Sequence, residues 1–170
     1  MLLPELASMQ RYAFALAKDH ALADDIVQDA LVLAIERRAS FREGAPVRSW
    51  VLAIVHNVFI STQRKKAAEI RRDAKFAEML VDRADASQEH GAYLRQVAQS
   101  FAALPDPQRQ VLHLVAIEDL SYFEASEVLQ IPIGTVMSRL SRARAALRQH
   151  GEIAENATAK LRIVGGTDGG

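Results

Sequence analysis

The chain has 170 residues, 49% of them hydrophobic and 25% charged, and no cysteine. That length fits one ordinary domain or two small ones, and the composition is that of a globular protein. Lacking cysteine, the chain can have no disulfide framework, thiolate zinc site or cysteine nucleophile. Its zero net charge is segregated: residues 1–36 carry −4, 37–75 carry +7, 76–130 carry −6 and 131–170 carry +3. Two separated basic segments can hold a polyanion while the acidic ones face another partner. The longest apolar run, WVLAIV at residues 50–55, is far short of the roughly 18 residues a membrane span needs. The N-terminus has no basic leader, and Glu5 interrupts its first apolar residues, so a soluble intracellular protein without membrane insertion is expected.

In chain order, the sequence predicts helices only. Leu, Ala, Arg, Glu and Gln dominate, and no alternating apolar/polar stretch is bounded by turn residues. A first helix is expected over residues 4–18 and a second over 22–38. On the second, Leu22, Ile26, Ala30 and Leu33 form one apolar face and Val27, Leu31 and Ala34 an adjoining one. Outside remains a narrow stripe of Asp25, Gln28, Asp29, Val32 and Glu36. Taken alone, this stripe reads as ordinary solvent exposure. The Asp24, Asp25, Asp29 spacing is also that of metal-binding Asp-rich motifs of isoprenoid synthases, but a second ligand set is absent and those folds are much larger.

A loop at residues 39–46, with Gly44 and Pro46, precedes a third helix over 47–72. Trp50, Val51, Ile54, Val55 and Val58 make its first half core-like. Ser49, His56, Asn57, Gln63, Arg64, Lys65 and Lys66 are expected along its exposed side. Trp50, at helical spacing from Ile54, reads as core; Phe41 fits either packing or a pocket for an unstacked base. Over residues 81–91, VDRADASQEHG, apolar periodicity lapses, as in a linker. Tyr93 or Leu94, Val97, Phe101 and Leu104 then restart a helical stripe.

The densest signal lies in residues 104–149. Asp106 is expected to cap a helix with Pro107 at its first position, burying Val111, Leu112 and Val115 and stopping near Asp119. Ser121 with Glu124 three residues on is a capping box opening a short helix to Leu129. A turn containing Pro132 follows, then a helix from Gly134 or Thr135. This is the helix-turn-helix pattern. On the last helix Val136, Leu140, Ala143 and Leu147 fall within about 60° of one another and form the packing face. Thr135, Ser138, Arg139 and Arg142 lie opposite, where hydroxyls and guanidinium groups reach phosphates and base edges. Arg144 and Arg148 add charge at phosphate range. Beyond His150 the tail, ending GGTDGG, is expected to fray.

The run LPDPQRQVLHLVAIEDLSYFEASEVLQIPIGTVMSRLSRARAALR closely resembles the promoter-reading sigma-4 domain of extracytoplasmic-function (ECF) sigma factors of bacterial RNA polymerase, group 4 of the sigma-70 family. Upstream, ADDIVQDALVLAIERR, Phe41 and VRSWVLAIVHNVFISTQRKK look like the sigma-2 domain of the same family. Together they span about residues 6–149. Departures exist: Gln130 stands where the family commonly has Gly in the turn, Ala125 replaces a larger apolar residue, Met137 stands where a basic residue is common, and Ser61 and Thr62 occupy the position that often holds Asp.

The resemblance implies an all-α protein of two small helical domains: a sigma-2-like bundle at 1–80, a linker at 81–91, a sigma-4-like helix-turn-helix domain at 92–150 and a flexible tail at 151–170. It implies that Asp25, Gln28 and Asp29, with Val32 and Glu36 of the same stripe, contact the β′ clamp helices of core polymerase, the β flap being a further contact. The minus-10 element is then read and opened by Phe41, Arg42, Arg48, His56, Asn57, Gln63, Arg64, Lys65 and Lys66. Thr135, Ser138, Arg139, Arg142, Arg144 and Arg148 read the minus-35 element. Core polymerase, promoter DNA and an anti-sigma factor are the implied partners, in the cytoplasm.

No nucleotide-binding glycine loop or catalytic Ser/His/Asp arrangement occurs, and the five histidines have no ligand spacing. A non-enzymatic transcription initiation factor without metal or cofactor is expected. The alternatives are a one-component helix-turn-helix regulator, which would not need the upstream acidic and basic helices, and a sigma-like decoy for an anti-sigma factor, which would lose the DNA-contacting arginines.

Overall fold

The computed structural model describes the backbone over residues 2–72 and 92–164, with side chains over 2–72 and 95–151. Seven α-helices occur in these segments: α1 (Leu6–Ala17), α2 (His20–Glu36), α3 (Val47–Arg72), α4 (Ala92–Ala102), α5 (Asp106–Leu112), α6 (Tyr122–Leu129) and α7 (Ile133–Val164). There is no strand among the described residues. The expected linker at 81–91 lies outside them.

Short-range chemistry sets most helix ends. Lys18 closes α1 in a left-handed conformation, φ 56°. Asp19 then caps α2, its Oδ1 accepting from the Leu22 amide at 2.7 Å, so α2 begins at His20, two residues before the expected Leu22. The helix buries Ala23, Ile26, Val27, Ala30 and Ala34, and with α1 and α3 forms a three-helix unit. In α3, Val51, Leu52, Ile54, Val55, His56, Val58 and Phe59 are all buried. One amphipathic face cannot bury seven of nine consecutive positions. The helix is clasped by α1 and α2 on one side and α6 on another.

The second half is α5, α6 and α7 around Val111, Leu114, Val128, Val136, Leu140 and Ala143. Pro105, extended at φ −53° and ψ 143°, is the cap of α5, and Asp106 is its first helical residue rather than the cap. The Asp106 carboxylate instead accepts from Arg109 Nη2 at 2.6 Å. A single π-type turn (His113–Ile117) follows α5, with the Glu118 amide donating to the His113 carbonyl at 3.0 Å. Such turns widen the helix by one residue. Ser121 and Glu124 form the capping box of α6 reciprocally, at 3.2 and 2.8 Å. Gln130 ends α6 in the left-handed region at φ 53°. Val97 of α4, expected in the apolar stripe, is instead exposed.

α7 starts at Ile133 and its backbone continues to Val164, so a helix occupies much of the expected flexible tail. Gly151 sits within it without a positive φ, a cost of about 1 kcal/mol relative to alanine that the following Ala, Glu, Lys and Leu residues, good helix formers, offset.

Candidate nucleic-acid and polymerase interfaces

The stripe on α2 lies where its spacing put it. Asp25, Gln28, Asp29, Val32 and Glu36 are all exposed, at the surface that the buried Ile26, Ala30 and Ala34 leave free. Ile35, 65% exposed, adds an apolar side chain near the stripe's end that its spacing did not single out. Asp29, Val32 and Glu36 line a groove whose opposite wall is Ile54, Asn57, Val58, Ser61 and Lys65 of α3.

α3 divides along its length. Its second half presents Gln63, Arg64, Lys65 and Lys66 to solvent. In its first half the expected exposed row is broken, because His56 is buried at 7% exposure. The Tyr12 hydroxyl of α1 lies 3.0 Å from His56 Nδ1 and the two rings stack. Burial holds the His56 pKa below the ordinary histidine value and pushes the Tyr12 phenol up. Both are therefore neutral at pH 7. Asn57 remains exposed, its Oδ1 accepting a long 3.5 Å hydrogen bond from Gln130 of the turn after α6. Arg48 is half-buried and already paired: Nε donates to Glu5 Oε2 at 2.8 Å, and Nη1 to the Glu118 carbonyl at 3.4 Å. Arg42 is exposed, whereas Phe41 is half-buried with its ring 5.0 Å from Trp50.

On α7, Val136, Leu140 and Ala143 are buried and Leu147 half-buried, which turns the opposite side outward. Ser138, Arg142, Arg144 and Arg148 are exposed; Thr135 and Arg139 are half-buried. The Ser138 hydroxyl donates to the Thr135 carbonyl at 3.1 Å. Exposed arginines from the third turn onward of a helix that is braced by a preceding one make a surface able to enter a DNA groove.

A polar seam joins the two helical units. The Glu118 side chain is 0% exposed and accepts from Arg11 Nε at 3.0 Å and Nη2 at 2.8 Å. Arg11 Nη2 also donates to Ser8 Oγ at 3.0 Å beside it, and His113 Nε2 lies 3.2 Å from Oε1. Burial by itself would raise the Glu118 pKa; the hydrogen bonds from Arg11, the Ser8 hydroxyl beside the carboxylate and the charges of Arg11 and His113 outweigh it, so the group sits below the usual carboxylate range. For His113, burial dominates and lowers the pKa, against the pull of Glu118. Buried Arg109 adds a second tie, its Nε donating to the Ala15 carbonyl of α1 at 3.3 Å. Motif spacing does not reveal this seam. An acid, a histidine and two arginines inside otherwise apolar stretches are its only trace in the sequence.

Among the described residues no group of His, Asp and Glu is placed to hold a metal ion, and no helix is long and apolar enough to cross a membrane.

Family models match at both ends of this architecture: Sigma-70 region 2 over residues 5–69 and Sigma-70, region 4 over residues 94–147. An ECF RNA polymerase sigma factor of Rhodopseudomonas palustris, EcfG, is 30% identical over 147 residues, covering 86% of this chain and 80% of that one. The chain belongs to the ECF sigma factors. SigW, an ECF sigma factor of Bacillus subtilis, is 33% identical over 141 residues, covering 75% and 74% of the two chains. The fold of this ECF sigma factor also matches that of RpoE from Bartonella quintana, solved in complex with the anti-sigma factor NepR. That likeness has a TM-score of 0.74 at 29% identity, over 89% of this chain and 94% of that one. As members of this family are transcription initiation factors, the exposed rows on α2, α3 and α7 are the surfaces to weigh for polymerase and promoter.

Proposed function

We propose that this ECF sigma factor directs promoter-specific initiation by assigning one task to each exposed row. The acidic row of α2 (Asp25, Gln28, Asp29, Val32, Glu36) docks on the β′ clamp helices of core polymerase, where complementary charge speeds and orients association. The loop and helix carrying Phe41, Arg42, Arg48, His56, Asn57, Gln63, Arg64, Lys65 and Lys66 serve the minus-10 element, the cations by neutralising phosphates and the loop by taking an unstacked base. Thr135, Ser138, Arg139, Arg142, Arg144 and Arg148 read the minus-35 element. The division is a sigma-2-like domain at 1–80, a linker at 81–91, a sigma-4-like domain at 92–150, which meets the β flap, and a tail from 151. The protein acts in the cytoplasm, has no catalytic residues of its own, and is restrained by an anti-sigma factor.

The observation that carries this reading is the partition of α7. Val136, Leu140 and Ala143 are fully packed while Ser138, Arg142 and Arg144 face solvent from a helix braced by a capped α6. Similarity to a sigma factor solved with an anti-sigma factor supports that partner. In vitro transcription with purified core polymerase tests the reading. Promoter-dependent RNA that requires this chain supports it, and binding of DNA without core, or of an anti-sigma factor without any transcription, would point to a regulator or a decoy.

A further inference from the structure

The first two turns of α7, the part that a helix-turn-helix directs at base edges, carry no exposed arginine. Arg139 is half-buried, and the exposed guanidinium groups begin at Arg142. What faces solvent before that is Ile133, Gly134, Met137, Ser138 and Ser141. Met137 is 53% exposed and takes no part in the packing face of Val136, Leu140 and Ala143. At about 100° per residue, Met137, Ser141, Gly134 and Ser138 fall within about 100° of one another, with Arg142 at one border of that arc and Arg144 at the other. Both arginines are exposed. The middle of the surface offered to DNA is therefore small and apolar, and the charges stand at its edges.

We infer that Met137 is a specificity-determining residue of the minus-35 contact, reading one thymine through apolar contact with its 5-methyl group. The inference rests on α7 being the minus-35 reader.

The neighbours of Met137 leave it standing clear of the helix surface. Gly134, three residues before it, has no side chain, and a Cβ placed there would meet nothing within 4 Å beyond its own backbone neighbours. Packing does not demand glycine at this position, and its absent side chain leaves room for a base edge beside the thioether. Ser141, four residues on, is short and exposed. The Ser138 hydroxyl donates to the Thr135 carbonyl at 3.1 Å, so it offers a base only its acceptor lone pairs. A thioether is at best a weak acceptor. Against the polar edge of guanine, cytosine or adenine it would displace water from a donor or acceptor and supply no partner in return. Thymine alone presents a methyl group in the major groove, and an unbranched, polarisable side chain can settle against it. Arg142 and Arg144, at the two borders, can hold the helix in the groove while Met137 selects the base.

The test uses the full chain assembled with purified bacterial core polymerase. Holoenzyme first selects from a pool of duplexes randomised across the minus-35 region. The favoured duplex is then remade with deoxyuridine at one thymine at a time, which removes only the 5-methyl group, and its binding is measured. The parent is expected to favour thymine at one position and to bind about fourfold more weakly when that base becomes deoxyuridine, the worth of one buried methyl group. Met137→Ala is expected to lose the same factor on the thymine duplex and to become indifferent to the methyl group, whereas Met137→Leu, still apolar, keeps the preference. Position 137 is exposed, so both variants should fold as the parent does. A Met137→Ala holoenzyme that retains the thymine preference and the methyl sensitivity overturns the inference, as does a parent that binds both duplexes equally. Arg142→Ala separates that failure from failure of the underlying reading. If it alters the selected sequence, α7 remains the reader and only the role of Met137 falls; if neither variant alters it, α7 is removed from the minus-35 contact and Met137 with it.

Discussion

Arg11 and Glu118, 107 positions apart in the chain, meet in a two-point hydrogen-bonded ion pair at 3.0 and 2.8 Å. One partner is half-exposed on α1 and the other is fully enclosed. The pair makes the seam sensitive to protonation, because His113 shares the same carboxylate. With Nε2 directed at Glu118, His113 Nδ1 is buried without a partner. That is tolerable for a neutral ring, whose Nδ1 is then an acceptor, and costly for an imidazolium, which would bury an unmet N–H.

Acidification should therefore destabilise the protein. Burial holds His113 and His56 below the ordinary histidine value of 6.5. Their neutral forms favour the folded state, and the unfolded chain takes up protons first as pH falls below 6.5. Stability is expected to be level above that value and to decline below it, by at most about 1.4 kcal/mol per pH unit for each group. Glu118, held below the usual carboxylate range, adds a further loss at lower pH. Urea denaturation at pH 7.5 and 5.5 checks this, with His113→Gln reducing the slope; a midpoint that rises on acidification contradicts it.

Gln130 tests a local strain. It sits at φ 53° with a Cβ that the left-handed conformation disfavours, so Gln130→Gly should raise stability by up to about 1 kcal/mol. The gain is read from denaturation midpoints, and a loss would show that the Asn57 contact outweighs the strain.

Arg142→Ala should weaken minus-35 binding more than Arg148→Ala, since Arg142 shares a face with Thr135 and Ser138 while Arg148 lies further along the helix and about 120° around it from Arg142. A bidentate guanine contact would make the loss about 1–3 kcal/mol and relax specificity at one position. Binding titrations on a set of single-base variants distinguish this from equal, sequence-independent losses, which would mean phosphate contact alone.

Asp25→Arg combined with Asp29→Arg should abolish assembly with core polymerase and leave the fold intact. Both side chains are exposed, and such substitutions usually change stability by less than about 0.5 kcal/mol, whereas reversed charge on a complementary surface replaces attraction with repulsion. A pull-down with core, alongside circular dichroism, reads both effects. Wild-type binding by the folded double variant would remove α2 from the polymerase interface.

The residues determined by themselves whatever depends on near neighbours in the chain. The start of α3, the Ser121–Glu124 capping box and the buried face of Val136, Leu140 and Ala143 follow from helical periodicity and from hydrogen bonds reaching three or four residues. The acidic row on α2 was legible for the same reason: apolar residues on the remaining sides leave one stripe outside. Position along a helix does not say which side a second unit will cover. His56 shares the polar pattern of Asn57 and yet is buried, because Tyr12, 44 positions away, and the helices packed around α3 enclose it. Arg48 reads as a DNA cation but is held by Glu5 and Glu118, 43 and 70 positions distant. Glu118 carries no local signal at all, since its burial becomes affordable only when Arg11, Ser8 and His113 converge on it. Long-range charge pairing is decided by how the helices pack, and only the tertiary structure brings those partners together.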